Sequence, residues 1–255
     1  MRSIGQSGLT VPPLGFGAFK IGRNQGVKYP GPYDLPDSAA VSRLLNAVLD
    51  IGCSLIDTAP AYGLSEQRIG EAIGHRRSEF VLSTKVGETW ADDQSRYDFT
   101  EAAVRRSLEQ SLTNLKTDVL DIVFIHSNGE DRRILLETDV VPILHEYRSR
   151  GTIRAIGLSG KTIEGAELAI KWADILMIEY HLNDTSHAQV MKRAAEAGVS
   201  VFIKKGFSSG MLAPEESIRF VLGNSAVTSL VVGGLNFDHF RENWIAAQQQ
   251  RALDT

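Results

Sequence analysis

The stretch SLIDTAPAYG, residues 54–63, leads from an apolar run into Asp57 and Tyr62, two polar residues able to take part in proton chemistry. Two later segments share this pattern, because FVLSTK ends on Lys85 and DIVFIH ends on His126. Short apolar runs of this kind are typical of buried β-strands. If the three strands are neighbours in a parallel sheet, their C-terminal ends bring the four polar side chains together.

Segments of helical periodicity alternate with such strands along the whole chain. The eight predicted strands are Leu14–Phe19, Ser54–Asp57, Phe80–Lys85, Val119–His126, Ala155–Ser159, Ile175–Tyr180, Ser200–Lys204 and Ser229–Gly233. Eight strand–helix units in 255 residues predict an α/β fold, the (β/α)8 TIM barrel. The chemistry of such barrels lies at the C-terminal ends of the strands, where the four polar residues fall.

Certain residues are expected to begin and end the helices. Thr100 and Ser186 precede helical segments and are predicted N-caps. Gly52, Gly74 and Gly198 follow helical segments, where a glycine is expected to adopt the left-handed conformation just past the helix.

The composition predicts one soluble domain over residues 1–255, with 43% apolar residues, 23% charged residues and a net charge of −4. Because there is no basic block, nucleic acid is not an expected partner. No apolar run has the length of a membrane span or the form of a signal peptide, so we expect a cytoplasmic protein that does not bind membranes. The single cysteine, Cys53, is expected to pack in the core, and the scattered histidines predict no metal site.

The four polar residues suit proton delivery to a carbonyl group. A phenol has a pKa of about 10 in water, so Tyr62 is a weak acid at neutral pH. A nearby ammonium group, Lys85, would stabilise its phenolate, and Asp57 would hold that ammonium group in place. His126 could donate a hydrogen bond to the substrate oxygen. None of these residues supplies a hydride.

The segment Asp57–Glu66, with Lys85 and His126 at the next two strand ends, resembles the motifs of the aldo-keto reductases. The likeness begins at Gly8–Gly17, where that family has a short hairpin closing the barrel floor. It ends at Gly233–Asn243, where the family has its last strand and a helix that grips the cofactor.

The resemblance implies that an aldehyde or ketone, the small-molecule substrate, is reduced by a nicotinamide cofactor, or that the reverse reaction occurs. Tyr62 would be the general acid. Lys85 and Asp57 would tune its acidity, and His126 would orient the carbonyl.

The loops after strands seven and eight of such barrels commonly bind phosphate, as a nicotinamide dinucleotide requires. Lys204–Gly210 follows strand seven, and Val232–Gly234 precedes a helix whose N-terminus attracts anions. From these loops and the resemblance, the residues expected to contact the cofactor are Gly17, Ala18, Phe19, Asp57, Ser159, Lys204, Lys205, Gly206, Phe207, Ser209, Gly233, Gly234, Asn236, His239 and Asn243.

The contacts to the nicotinamide depart from the family pattern. Relatives commonly have Ser-Asn after the fifth strand, Gln in the sixth and Tyr after the seventh, whereas this chain has Ser159-Gly160, Met177 and Lys204. Two interpretations of Lys204 follow. In the first, its charge contacts the cofactor diphosphate or solvent. In the second, burial lowers its pKa and makes it a nucleophile able to form a Schiff base. The first interpretation is preferred.

The Lys or Arg that pairs with the 2′-phosphate of NADP(H) in relatives is missing from its usual positions, which here are Gly233, Leu235 and His239. Arg241 and Lys205 are the candidate replacements. NADP(H) is the first expectation for the cofactor, and NAD(H) is the alternative.

The substrate pocket is expected to be open, because the loops after strands four and seven are short. Phe19, Tyr29, Tyr33 and Trp90 are its predicted apolar walls, since aromatic side chains offer much contact area. We therefore expect a bulky substrate, or a partner or second subunit that completes the site, so a homo-oligomer is possible. The acidic residues near strand ends are expected to be loop caps or surface groups: Glu88, Glu179 and Asp184.

Two other functions stay open at this stage. One is a nicotinamide-binding sensor or regulatory barrel with little turnover. The other is a lyase or isomerase that uses Tyr62 and Lys85 for proton transfer without net redox change.

Overall fold

A computed structural model describes residues 1–27 and 31–253 of the chain. Strands β1 (Arg2–Ile4) and β2 (Leu9–Val11) form an antiparallel hairpin at the N-terminus. Eight further strands form a closed parallel barrel, as predicted: β3 (Leu14–Gly17), β4 (Leu55–Asp57), β5 (Val81–Val86), β8 (Leu120–His126), β9 (Ile153–Ser159), β10 (Ile175–Glu179), β11 (Ser200–Lys204) and β12 (Ser229–Val232). The barrel closes where β12 pairs with β3.

Helices surround the barrel. They are α1 (Ser38–Asp50), α2 (Ser65–Ile73), α3 (Glu101–Leu115), α4 (Asp131–Glu137), α5 (Val140–Ser149), α6 (Ile163–Ala169), α7 (Ala188–Glu196), α8 (Pro214–Leu222) and α9 (Phe237–Leu253). The face of α1 predicted from its periodicity is buried, because Val41, Leu44, Leu45 and Val48 pack in the core between helices and barrel.

The hairpin of β1 and β2 closes the floor of the barrel, as the resemblance implied. Its apolar residues Ile4, Leu9 and Val11 pack with inward-facing strand residues such as Phe124 and Phe202. Buried apolar surface thus fills the barrel from below. The open end is left at the C-terminal ends of the strands.

The helix ends follow the predictions only in part. Thr100 caps α3 by accepting a hydrogen bond from the backbone N–H of Ala103, as predicted. The prediction for Ser186 was wrong, because α7 begins two residues later and the Ser186 hydroxyl contacts the His187 ring.

The predictions for the glycines at helix ends are also confirmed only in part. Gly52 and Gly198 adopt the expected left-handed conformation, with φ of 90° and 77°. Gly74 does not, since its φ is −57° and the chain continues in a right-handed 3-10 turn over Gly74–Glu79.

A second hairpin follows β5 and was not predicted. It consists of β6 (Glu88–Ala91) and β7 (Gln94–Tyr97), joined through Asp92 and Asp93. Both turn residues have positive φ, 51° and 57°. The hairpin stands at the mouth of the barrel and brings Glu88 next to the end of β8.

Candidate active site

Neighbouring strands β4 and β5 bring Asp57 and Lys85 into direct contact. Lys85 Nζ lies 2.9 and 2.8 Å from the two carboxylate oxygens of Asp57 and donates a third hydrogen bond, of 2.8 Å, to the carbonyl of Thr58. Ser83 Oγ donates to Asp57 Oδ1 at 2.6 Å. Lys85 is 1% exposed and Asp57 is 3% exposed. Because both groups are buried, each charge is stable only while the opposite charge lies beside it.

The environment of Lys85 favours its charged form. Burial opposes the charge, but the Asp57 carboxylate and the Tyr62 phenol outweigh burial and raise the pKa of Lys85 above its ordinary value. Lys85 therefore stays protonated at neutral pH. It acts as a fixed positive charge beside Tyr62, and a positive charge stabilises a phenolate.

The short turn Pro60–Tyr62 after β4 places Tyr62 against Lys85. Lys85 Nζ is 4.7 Å from the centre of the Tyr62 ring. Phe19 packs on the Tyr62 ring at 5.0 Å between centres, and the His126 ring lies 6.2 Å away with its plane nearly perpendicular. The four residues predicted to be catalytic thus meet at one end of the barrel, and their chemical roles stay predictions.

These residues surround a cavity of about 860 Å³ at the C-terminal mouth. Asp57, Tyr62 and His126 form part of its wall, and Lys85 is buried behind them. The volume lies in the range of about 300–1,000 Å³ that is common for small-molecule sites.

Lys204, at the end of β11, reaches into the cavity from the opposite side. Its Nζ donates hydrogen bonds to Ser159 Oγ at 3.0 Å and to the carbonyl of Gly160 at 2.8 Å. Burial, together with repulsion from Lys205 and Lys85, lowers the pKa of Lys204 to about 7. A bound anion would restore its full charge.

The loop after β11 carries positive charge at the cavity wall. Lys205, Ser208 and Ser209 have positive φ, and the backbone N–H groups of Ser208 and Gly210 donate within the loop, to the carbonyls of Lys205 and Phe207. The two adjacent lysines, Lys204 and Lys205, are therefore the groups that suit the diphosphate of a nicotinamide dinucleotide. Lys205 already pairs with Glu179 across the cavity wall.

The residues predicted to bind the cofactor are only partly gathered at this cavity. Its wall includes ten of them: Gly17, Phe19, Asp57, Ser159, Lys204, Lys205, Gly206, Phe207, Ser209 and Gly233. Within the described part of the chain, Ala18, Gly234, Asn236, His239 and Asn243 lie outside the wall. The Asn236 side chain accepts hydrogen bonds from backbone N–H groups at the start of α9.

The four aromatic residues predicted to form the pocket walls do not all line the cavity. Phe19 lines the cavity, and Tyr29 falls outside the described residues. Tyr33 and Trp90 hold Arg23, which itself lines the cavity. The Arg23 guanidinium lies 3.2 Å from the Trp90 ring centre, and the Tyr33 hydroxyl donates to the Arg23 carbonyl.

Sequence reasoning missed Glu88. The expectation of a loop cap or surface group was wrong, because Glu88 is 7% exposed and its Oε2 lies 2.9 Å from Nδ1 of His126. The sequence did contain a signal for Glu88. Its carboxylate follows closely after the strand that carries Lys85, and polar groups at that end of a barrel strand are expected at the site. The neighbouring hairpin residues Ser95 and Tyr97, which also line the cavity, carried no such signal.

The described residues lack two further features. No cluster of three or more histidine, cysteine, aspartate or glutamate side chains there is arranged to hold a metal ion. No helix there has both the length and the apolar character needed to cross a membrane.

The barrel and the four side chains at its mouth, a carboxylate, an amine, a phenol and an imidazole, define a class of protein. Comparison with known proteins identifies that class. The model of the aldo/keto reductase family matches residues 13–217, and the chain belongs to that family. A crystal structure of a protein from Pseudomonas aeruginosa described as an aldo-keto reductase superposes with a TM-score of 0.90 at 40% identity, covering 98% of this chain and 94% of that one.

Two relatives are named as sugar dehydrogenases. D-threo-aldose 1-dehydrogenase from a Pseudomonas species is 30% identical over 84% of this chain and 71% of its own length. L-galactose dehydrogenase from Arabidopsis thaliana is 26% identical over 99% of this chain and 89% of its own length. The protein is therefore similar to oxidoreductases.

Proposed function

We propose that the protein interconverts a carbonyl compound and its alcohol by hydride transfer with a nicotinamide cofactor. The observation that carries the proposal is the convergence of Tyr62, Lys85, Asp57 and His126 at one cavity, whose wall also includes Lys204 and Lys205. The nicotinamide, when bound, supplies or accepts the hydride that no residue of the chain can provide.

The residues of the chain handle the proton. Tyr62 donates its phenol proton to the substrate oxygen during reduction, and the adjacent Lys85 ammonium group stabilises the phenolate left behind. Asp57 keeps that ammonium group charged and in place. His126, whose ring lies 6.2 Å from the Tyr62 ring, is placed to contact the same substrate oxygen.

We propose a polar, hydroxylated substrate, with aldoses as the class to test first. Two relatives act on sugars, as their names state. The cavity wall supports this choice, because it carries hydrogen-bonding groups from Glu88, Ser95, Tyr97 and His187. A substrate of this kind can satisfy them with its hydroxyl groups.

For the cofactor we propose NADP(H), with the diphosphate on the loop after β11. Lys204 and Lys205 supply positive charge there. Arg241, in the first turns of α9, is the candidate partner for the 2′-phosphate and is now paired with Asp238 at 3.0 Å. NAD(H) is the alternative, because this pairing competes with the phosphate.

Cofactor affinity is expected to be higher for NADPH than for NADH and to fall as pH rises through 7. Lys204 has a pKa of about 7, so it is charged below that pH and attracts the anion, and it loses this attraction above it. Between pH 6 and pH 9 the Kd is expected to rise roughly tenfold, the size of one partly screened charge contact. Fluorescence titration measures it.

The matched variants are Lys204→Met, which should remove most of this pH dependence, and Lys192→Met, which removes an exposed lysine on α7 and should leave it unchanged. A pH dependence that survives in Lys204→Met contradicts the assignment to Lys204. Equal Kd values for the two cofactors contradict the preference for NADP(H).

The proposed function is tested with the purified protein, each cofactor and a panel of aldoses, simple aldehydes and their alcohols. Cofactor absorbance and products are followed together. Stoichiometric change of both supports the proposal. Cofactor binding without turnover would instead indicate a sensor, and product without cofactor oxidation would indicate a lyase or isomerase.

A further inference from the structure

Arg23, in the loop that follows β3, is a buried arginine at the wall of the cavity. It is 8% exposed. Its guanidinium group donates hydrogen bonds to three backbone carbonyls, those of Gln25 at 2.8 Å, Gly26 at 3.3 Å and Ala61 at 3.0 Å. The first two hold the guanidinium group within its own loop. The third reaches a different element, because Ala61 lies in the short turn after β4 and directly precedes Tyr62.

Aromatic rings fix the position of this guanidinium group. Its central carbon lies 3.2 Å from the centre of the Trp90 ring, on β6, and 5.5 Å from the centre of the Phe19 ring. Phe19 in turn packs on the Tyr62 ring, at 5.0 Å between centres. A guanidinium group stacks well on aromatic rings because it is planar and weakly hydrated. Arg23 thus links the loop after β3, the turn after β4 and the hairpin after β5 around Tyr62.

The loop and the turn also meet through their backbones. The N–H group of Leu64 donates to the carbonyl of Gly22 at 3.1 Å. A Cβ atom on Gly22 would lie 2.1 Å from the carbonyl oxygen of Tyr62, so only glycine allows the two segments to approach this closely. In sequence, Tyr62 therefore lies between two hydrogen bonds to the same loop, and the Arg23 side chain makes one of them.

The charge of Arg23 also acts on Tyr62. Burial lowers the pKa of Arg23, and the charged forms of nearby side chains, Glu88 first among them and Tyr62 included, oppose burial. A guanidinium group still stays protonated in proteins. Since the interaction of two charges is mutual, the guanidinium group favours the phenolate form of Tyr62. Arg23 is thus a second positive group acting on Tyr62, in addition to Lys85.

We propose that Arg23 is a positioning residue for Tyr62, which holds the turn after β4 through the Ala61 carbonyl and adds positive charge that favours the phenolate. The proposal rests on the proposed function, because the position of Tyr62 matters to turnover only if its phenol exchanges a proton with the substrate. Arg23 acts through Tyr62 and is assigned no contact with the reacting atoms.

Arg68 offers a matched control on the same loop. Its guanidinium group donates to the carbonyls of Ile21 and Pro36, at 2.6 and 2.9 Å. The Arg68 side chain therefore holds this loop from α2 through carbonyls other than the one next to Tyr62. Arg68→Met should loosen the loop as Arg23→Met does, whereas only Arg23→Met should change Tyr62.

The ionisation of Tyr62 can be measured by NMR without cofactor or substrate. In protein labelled with 13C at the tyrosine ring carbon that bears the hydroxyl, the chemical shift of this carbon reports the ionisation of each phenol. The Tyr62 signal is assigned by its loss in Tyr62→Phe. The neighbouring elements carry further titratable groups, which both arginine substitutions leave in place: Lys20, Asp57, Glu66, Lys85, Glu88 and His126.

We expect Tyr62 to ionise at a higher pH in Arg23→Met than in the unmodified protein, by about one pH unit, because a nearby positive charge is lost. Arg23→Lys keeps a positive charge and should reverse most of this shift. Arg68→Met should ionise as the unmodified protein does. An unchanged ionisation of Tyr62 in Arg23→Met would overturn the proposal, whatever the activity.

Arg23→Gln separates the charge of Arg23 from its hydrogen bond, because a glutamine keeps a neutral donor for the Ala61 carbonyl. It should show the same shift in Tyr62 ionisation as Arg23→Met, since both variants lack the charge. If Arg23→Met does not fold, Arg23→Gln is measured in its place, and the same outcomes decide the proposal.

In turnover, Arg23→Met should lower kcat roughly tenfold, the value of one hydrogen bond from a charged donor. KM and cofactor Kd should stay within about twofold of their values in the unmodified protein. Arg23→Lys should recover part of the lost kcat, and Arg68→Met should keep kcat within about twofold. A rise in KM at constant kcat would overturn the proposal, because it would place Arg23 in substrate binding rather than in proton exchange.

The outcomes separate the two hypotheses. If the unmodified protein turns over neither alcohol nor carbonyl, the proposed function fails, and the NMR titration still decides whether Arg23 acts on Tyr62. If turnover is found but Arg23→Met has the Tyr62 ionisation and the kcat of the unmodified protein, the inference about Arg23 fails and the proposed function stands.

Discussion

Replacing Tyr62 with phenylalanine is expected to abolish turnover and leave the fold unchanged. The substitution removes only the phenol O–H, the group proposed to exchange a proton with the substrate oxygen. The ring keeps its contact with Phe19 at 5.0 Å and its position over Lys85. Loss of a positioned acid typically lowers the rate by about 10²- to 10⁴-fold, and we expect a fall in kcat of that size.

The measurement is kcat in both directions, with cofactor Kd and the thermal unfolding curve as parallel readouts. Cofactor Kd should stay within about twofold of its value in the unmodified protein. A twofold change corresponds to less than half a kcal/mol of binding free energy. Tyr147→Phe is the matched control, since it removes a phenol O–H from α5 that bonds to Glu109 outside the barrel. Retention of more than a tenth of the original kcat in Tyr62→Phe would refute the role of this residue.

The barrel was predictable because its strands are short apolar runs with clear ends. The strands ending at Asp57 and His126 end in the structure where the sequence predicted, since each polar residue stops a buried run. The convergence of those ends then follows from parallel pairing alone. Lys85 lies one residue before the end of β5 and still reaches Asp57, because its side chain is long.

The environment of His126 was not predictable in the same way. It depends on a hairpin whose turn is Asp92-Asp93, and aspartate at two positions of positive φ is a weaker turn signal than Asn-Gly or Asp-Gly. Without that hairpin, Glu88 has no reason to be buried. The contact between Glu88 and His126 is a tertiary one, between residues 38 positions apart (126 minus 88), and no local pattern encodes it.

Changing Asp57 to asparagine is expected to destabilise the protein strongly, in addition to any effect on catalysis. The substitution keeps the shape of the side chain but leaves the Lys85 ammonium group, 1% exposed, without its counter-charge. Removal of one partner of a buried ion pair costs about 3–5 kcal/mol. For a chain of this size, that corresponds to a fall in Tm of roughly 6–20 °C.

The destabilisation should depend on pH in a way that identifies its cause. In the unmodified protein the pKa of Lys85 is raised, so its contribution to stability persists at neutral pH and is lost only as pH rises through that raised value. In Asp57→Asn, burial without a carboxylate lowers the pKa of Lys85, and the unfolded chain then binds the proton more tightly than the folded one. The variant should therefore gain stability, relative to the unmodified protein, as pH is raised from 6 towards 9.

A double-mutant cycle with Lys85→Met separates a lost ion pair from a lost shape. With both charges removed, no unpaired charge stays buried, so Asp57→Asn/Lys85→Met should be more stable than Asp57→Asn alone. Urea denaturation of the four proteins at pH 7 measures the coupling. Strictly additive costs would mean that the two side chains stabilise the barrel independently. The buried pair would then not be the element that holds Lys85 charged beside Tyr62.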